Sequence, residues 1–350
     1  MSSASKQHIL WFRELGIHDR PVAGGKGASL GEMTRAGLPI PAGFVVSTVA
    51  FNQWLHELDR QHAIRARITA LGKDDLPAIQ QCTEEVRSLI ECEPLSAQLH
   101  DLIASSYSEL DAQHPVAVRS SATSEDSAEA SFAGLQDTYL WVKSEAELIS
   151  KIRACWASLY SPESVSYRLR LNLPEAQLAM GVVVQRMVHS RCSGVMFTRS
   201  PTTGDRSVIT IEGSWGLGSA IVSGEVTPDR FVVNKVTGDV RTRVVADKAV
   251  EHVPADSGGV HERAIDDERR KQSCLSDAQL HALVALGKKV EQHYGAPQDI
   301  EWALDQDSNI LLLQSRPETV WASKERAAVA KPAARAFDHI FNVMGGVKKP

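Results

Sequence analysis

Short apolar runs alternate with stretches of helical spacing along this chain. Residues 116–118 read as a buried strand, and 137–142 alternate around Tyr139 and Trp141 as a second one. Residues 40–46 predict another strand, after which Thr48 caps a helix carrying Phe51, Trp54 and Leu55 at helical spacing. Residues 58–110 are helical and charged, broken at Pro77 and Pro94. Ser144 with Glu147 makes a capping box for a helix that buries Leu148, Ile152, Cys155, Trp156 and Leu159. Residues 179–188, AMGVVVQRMV, are apolar almost without a break, as expected of a strand covered on both faces. Further on, 209–215 predict a strand and 231–245 a hairpin turning at Thr237 and Gly238, while 246–272 read as a polar connector. A helix capped by Ser276 and Gln279 and closed at Gly295 buries Leu280, Leu283, Val284 and Val290. Two adjacent strands then follow, 299–305 and one beginning at Ile310.

Polar groups inside this pattern carry the chemistry. Arg119 ends the 116–118 strand, where its charged fork suits phosphate oxygens. Ser120, Ser121, Thr123 and Ser124 add hydroxyl donors, and Ser131, Phe132, Ala133 and Gly134 form a small-residue turn whose N–H groups suit an anion. Serine and glycine also suit a flexible surface loop; the anchored Arg and the Phe argue for order. The stretch 22–33, VAGGKGASLGEM, puts glycines and Lys26 before a helical pattern, an arrangement that favours anions at the helix start. It is not a Walker A loop, because Gly27 follows the lysine. Gln185 is a buried amide in need of a partner, either an adenine edge or a hydrogen bond within the core. Glu301 and Gln314 stand among apolar neighbours, where hard oxygens suit Mg²⁺ on ATP phosphates, with Arg316 neutralising charge; a structural ion pair is the other reading.

A length of 350 residues with 43% hydrophobic side chains is enough for two lobes with separate cores. The N-terminus shows no basic and apolar leader and no stretch approaches a membrane span, so a cytoplasmic protein without a membrane partner is expected. Five cysteines with no C-x-x-C pair suit reduced thiols rather than a zinc site. The net charge of −5, without a basic aromatic-rich run, argues against nucleic acid.

Residues 115–140, containing AVRSSATSED and SFAGLQDT, closely resemble the ATP-binding domain of the pyruvate phosphate dikinase and phosphoenolpyruvate synthase family. The likeness returns at GGKGASLGEM, at the VVVQRM strand, at SGVMFT and VSGEVTPD, and at DIEWA with LQSRP, covering about residues 22–321. It implies an α+β ATP-grasp fold with the nucleotide between two lobes, residues 1–182 and 183–322, and a tail, 323–350. It further implies that Lys26, Arg119 and Arg316 act on the phosphates. Gly134, Thr138, Gln185, Met187, Val188 and Glu212 would contact the nucleotide, while Glu301 and Gln314 would hold Mg²⁺. One position departs from the family, which commonly has Glu after WGLG where this chain has Ser219.

In that family a histidine on a separate swivelling domain, in a T-[CS]-H-A-A-like motif, carries the phosphoryl group, and no such motif occurs here. The expectation is therefore an ATP-dependent phosphotransferase subunit that splits ATP to AMP and phosphate and phosphorylates a histidine on a partner subunit. Its architecture resembles the split phenylphosphate synthase system, with phenol as acceptor. A split phosphoenolpyruvate synthase, an antibiotic phosphotransferase component and a silent ATP-sensing regulatory subunit are the alternatives.

Overall fold

The computed structural model describes residues 5–111, 113–123, 137–175, 178–319 and 321. Two antiparallel sheets organise it. The first has five strands in the order β1-β2-β5-β3-β4, namely β1 (Ile9–Trp11), β2 (Gly43–Val46), β3 (Val116–Ala122), β4 (Thr138–Val142) and β5 (Met180–Arg186). Val182 and Val184 point from β5 into a core shared with Val116 and Val118 of β3, while Val183 points the other way, into a smaller core with Leu30 and Met33. The apolar run is thus covered on both faces, as expected. The three-residue β1, partner of β2, and the strand β5 both belong to the first sheet. The division expected at residues 182 and 183 therefore falls inside β5, and the chain changes sheets between Arg186 and Ser190.

Helices cover the first sheet. After a short α1 (Ser5–His8), α2 (Arg20–Arg35) lies on one face; α3 (Thr48–His62), α4 (Ile64–Thr69), α5 (Leu76–Cys92), α6 (Ala97–Glu109), α7 (Glu145–Ser158) and α8 (Pro162–Leu171) build the larger core. Ser144 caps α7 by accepting from Glu147 N at 3.2 Å, but the Glu147 carboxylate reaches back to Lys143 N rather than to Ser144 N. Residues 58–110 form helices as expected.

The second sheet has six strands in the order β13-β12-β6-β7-β8-β9: β6 (Ser190–Phe197), β7 (Val208–Trp215), β8 (Asp229–Asn234), β9 (Val240–Val244), β12 (Gln298–Asp305) and β13 (Ile310–Pro317). Met196, Ile211, Phe231, Ile300 and Trp302 form its core with Leu280, Leu283 and Val290 of α10 (Asp277–Tyr294). The Ser276 and Gln279 capping box and the left-handed Gly295 close α10 as predicted. A four-residue α9 (Ser219–Val222) follows β7.

The polar connector expected at 246–272 contains a hairpin instead, β10 (Val250–Pro254) paired with β11 (Val260–Ala264). Only Glu251 of β10 is buried and β11 is mostly exposed, so apolar alternation gives no sign of these strands. The segment is anchored by an ion pair: Lys248 Nζ lies 2.6 Å from Asp229 Oδ1, both side chains fully buried. Asp229 also accepts from Ala246 N and Cys274 N, so its carboxylate is well partnered away from water.

The lobes meet along α2 and the loop after it. Ser29 Oγ donates to Ser315 O at 2.7 Å and Leu312 N donates to Pro39 O at 2.8 Å. Among the described residues, no helix is long and apolar enough to cross a membrane.

Candidate functional site

Residues paired directly across an antiparallel sheet share a face. The second sheet pairs Arg230 with Glu212, Glu212 with Val195, Val195 with Glu301 and Glu301 with Gln314. One row of side chains therefore crosses five strands, opposite the face that packs on α10. Two positions along, Asp299 and Arg316 form the next pair on that face, with Arg316 Nε 3.6 Å from Asp299 Oδ2. Burial pushes the Asp299 carboxyl up to about 6, with Arg316 pulling it partly back.

Arg119 joins this row to the first sheet. It sits near the middle of β3 and is 8% exposed. Nη1 donates to Leu313 O at 3.1 Å; Nη2 donates to Glu301 Oε2 at 3.1 Å and also to Gln314 Oε1. Three expected site residues from two lobes thus meet in one contact. Thr138 is the cross-strand partner of Arg119 on β4, so it lies on the same face.

Lys26 follows the break in α2. Gly24 has φ 71° and ψ 175°, and a Cβ there would lie 2.0 Å from Ser121 O, so only glycine lets α2 press onto β3 at this point. Gly27 N donates to Ser121 Oγ, which itself donates to Ala23 O. The glycines therefore do bring backbone close to a neighbour, and that neighbour is β3. Lys26 is half-buried on the turn so fixed.

The structure corrects other expectations. Ser120 is fully buried and donates to Asp137 O, and as the neighbour of Arg119 in a strand it faces the opposite side of the sheet. Ser121 shares the Arg119 face, and its hydroxyl holds the glycine turn, accepting from Gly27 N and donating to Ala23 O. Arg168 is buried and donates to Leu159 O, Ser164 Oγ and Glu175 Oε1, so its charge is used within the first lobe. Gln185 is buried, with Nε2 donating to Pro41 O at 3.5 Å, a long contact that leaves room for a better acceptor. Met187 N, placed near an expected base contact, already donates to Pro115 O at 2.9 Å. Ser124, Ser131, Phe132, Ala133 and Gly134 lie outside the described residues.

Met187 and Val188 line a cleft of about 430 Å³ together with Pro41, Ala42, Asp305 and Leu311, where the chain crosses between sheets. Glu212 lies two strands from Glu301 in the polar row, its carboxylate 3.8 Å from Arg230 Nε. Sequence reasoning passed over Asp299 and Arg230. The period of two places Asp299 beside Glu301, a legible signal, whereas Arg230 enters the row only through register.

The family described as pyruvate phosphate dikinase, AMP/ATP-binding domain, matches residues 20–336. A probable phosphoenolpyruvate synthase of Methanothermobacter thermautotrophicus is 39% identical over 318 residues, covering 89% of this chain and 46% of its own length. The phosphoenolpyruvate synthase of Aeropyrum pernix is 40% identical, covering 93% of this chain and 44% of its own. That of Pyrococcus furiosus is 37% identical, covering 94% and 46%. The chain spans about half the length of these relatives. Among solved structures, D-alanyl-alanine synthetase A of Vibrio cholerae aligns over 68% of this chain and 54% of its own, at 11% identity and a TM-score of 0.26.

Proposed function

Because the chain belongs to the pyruvate phosphate dikinase AMP/ATP-binding domain family, we propose that it binds ATP between its two sheets, in the ATP-grasp manner, and transfers a phosphoryl group from it. The observation that carries this reading is the contact of Arg119 with Glu301 and Gln314, which concentrates one guanidinium and two oxygen donors where the sheets meet. Phosphate oxygens would compete with the Glu301 carboxylate for the Arg119 fork, and Arg316, half-exposed one pair along, adds a second guanidinium. Lys26, on the turn that Gly24 presses against β3, supplies a cation from the first lobe.

The donor set fits Mg²⁺. Glu301 is 38% exposed at its side chain and pairs across the strands with the buried Gln314, so a second hard oxygen stands beside the one that solvent reaches. Mg²⁺ held by Glu301 and Gln314 would neutralise phosphate charge. The chain's own groups then orient the nucleotide, through Gln185 and the Met187–Val188 segment at the base and Glu212 at the ribose, and exclude water from the phosphates.

The acceptor lies beyond these residues. We place it on a histidine of a separate partner subunit, with AMP and phosphate released and the phosphoryl group passed on to an acceptor such as phenol, as in a phenylphosphate synthase. The support is the resemblance to a dikinase-type ATP-binding domain. A split phosphoenolpyruvate synthase differs only in the final acceptor. The test incubates the purified chain with Mg²⁺ and β-labelled ATP, alone and with the histidine-bearing protein, adding phenol last. Acid-labile label on the partner and release of AMP are expected; ATP binding with no label on any partner would overturn the transfer and leave a regulatory subunit.

A further inference from the structure

At the end of β7 the chain turns through Gly216, whose φ is 73°. A Cβ there would lie 2.5 Å from His252 O, so glycine lets β10 close against the turn. Leu217 N donates to His252 O at 2.9 Å, clamping His252 two residues from Ser219. Gly224, with φ 77°, returns the chain beneath α9, where Glu225 N donates to Ala220 O at 3.1 Å.

Three side chains held in this way stand in series. Ser219 Oγ lies 2.8 Å from His252 Nδ1, and His252 Nε2 lies 2.6 Å from Glu225 Oε2. An ionised carboxylate can only accept, so Nε2 carries the imidazole proton and Nδ1 accepts the Ser219 hydroxyl. Backbone bonds already dock β10 here, so these side-chain bonds are not needed to hold it. A hydroxyl, an imidazole and an orienting carboxylate follow one another as in an activated serine, with the two ring nitrogens exchanged: the serine is on Nδ1 and the carboxylate on Nε2.

His252 lines a pocket of about 520 Å³ whose wall includes His189, Arg191, His261 and Arg263 and, two residues before Ser219, Leu217. Arg263 is paired with Glu251, whereas the buried Arg191 Nε has no partner among the described residues. A guanidinium with a donor left over suits an anionic ligand.

We propose that Ser219 is a second reactive centre, a nucleophile with His252 as its base and Glu225 as the positioning group, acting on small carboxylic esters that carry an anionic substituent. Ser219 Oγ bonds to the ester carbonyl carbon while its proton passes to His252 Nδ1. The bond to the alcohol oxygen then breaks, and the alcohol leaves with that proton. Water attacks the acyl-serine, giving one proton to Nδ1, which returns it to Ser219 Oγ as the carboxylic acid departs. No oxidant, reductant or metal enters the balance.

The test treats the purified chain with a tagged fluorophosphonate and, separately, with 4-nitrophenyl hemisuccinate and 4-nitrophenyl acetate. Label is expected on the peptide containing Ser219 and is lost in Ser219→Ala. His252→Asn should slow labelling by about 10²-fold or more. Glu225→Gln, at a more exposed position that tolerates the change, should slow it by at least about tenfold, because the imidazole loses its enforced tautomer. The hemisuccinate should be hydrolysed faster than the acetate. Labelling of the wild type no faster than of Ser219→Ala would overturn the proposal, and equal rates for the two esters would overturn its anionic substrate.

Discussion

Removing the Arg119 side chain would leave the Glu301 carboxylate and the Gln314 amide beside one another without their shared donor. A buried group left unpaired costs about 1–3 kcal/mol, but water reaches Glu301, so the cost falls mainly on Gln314. Arg119→Ala should therefore lower the Tm by only about 2–5 °C while ATP-dependent label transfer falls by about 10²-fold or more. Arg119→Lys should fail nearly as badly, since an ammonium on one point cannot reach Leu313 O, Glu301 and Gln314 together. Scanning calorimetry beside a labelling assay separates the two effects. Near-normal transfer in either variant would remove Arg119 from the site. Glu301→Gln keeps the Arg119 contact in outline but weakens the hold on Mg²⁺, so its transfer should recover in part at raised Mg²⁺, a response that Arg119→Ala should lack.

At the scale of elements, α2 carries two joints. Gly24→Ala would drive a Cβ into Ser121 O at a backbone angle that L side chains rarely adopt. Either the helix lifts from β3 or β3 shifts beneath Arg119. A loss of about 2 kcal/mol or more is expected, read as a drop in Tm with a matching loss of ATP affinity; a Tm equal to wild type would mean the turn is free to move. Further along, Glu32 accepts from Ile17 N at 2.9 Å and meets His293 of α10 at 2.8 Å. These bonds hold its carboxyl below the ordinary 4.5, the backbone bond being the larger cause. A depressed carboxyl stabilises the fold above its unfolded value and loses that contribution as the pH falls through the folded one. Glu32→Gln should accordingly be less stable than wild type at neutral pH, and the gap should close as the pH drops below 4.5. A gap that stays constant with pH would show that the bond to Ile17, rather than the charge, is what matters.

At the scale of the molecule, each sheet carries its own core, and the polar row between them is bridged by Arg119 and α2. A ligand seated there binds the folded chain alone, so Mg²⁺-ATP at about 100 times its Kd should add about 2.7 kcal/mol of stability. Thermal shift should reveal this in the wild type and lose it in Arg119→Ala; an equal shift in both would place the nucleotide elsewhere. By itself the sequence determined most elements and the chemistry of the site. Apolar runs located β3 and β5, the cap at Ser276 located α10, and Arg119, Glu301 and Gln314 were legible as a charge and two oxygens among apolar neighbours. Tertiary structure decided what local pattern cannot hold. Which face of β3 looks toward the second sheet separates Arg119 from Ser120, and that depends on pairing with β5, more than sixty residues away. The β10–β11 hairpin is fixed by the buried, ion-paired Lys248, Asp229 and Glu251 and by neighbouring backbone rather than by alternation, because β10 buries Glu251 alone and β11 is mostly exposed. Register likewise placed Arg230 in the polar row and His252 between Ser219 and Glu225, contacts set by how distant segments meet and invisible to any window along the chain.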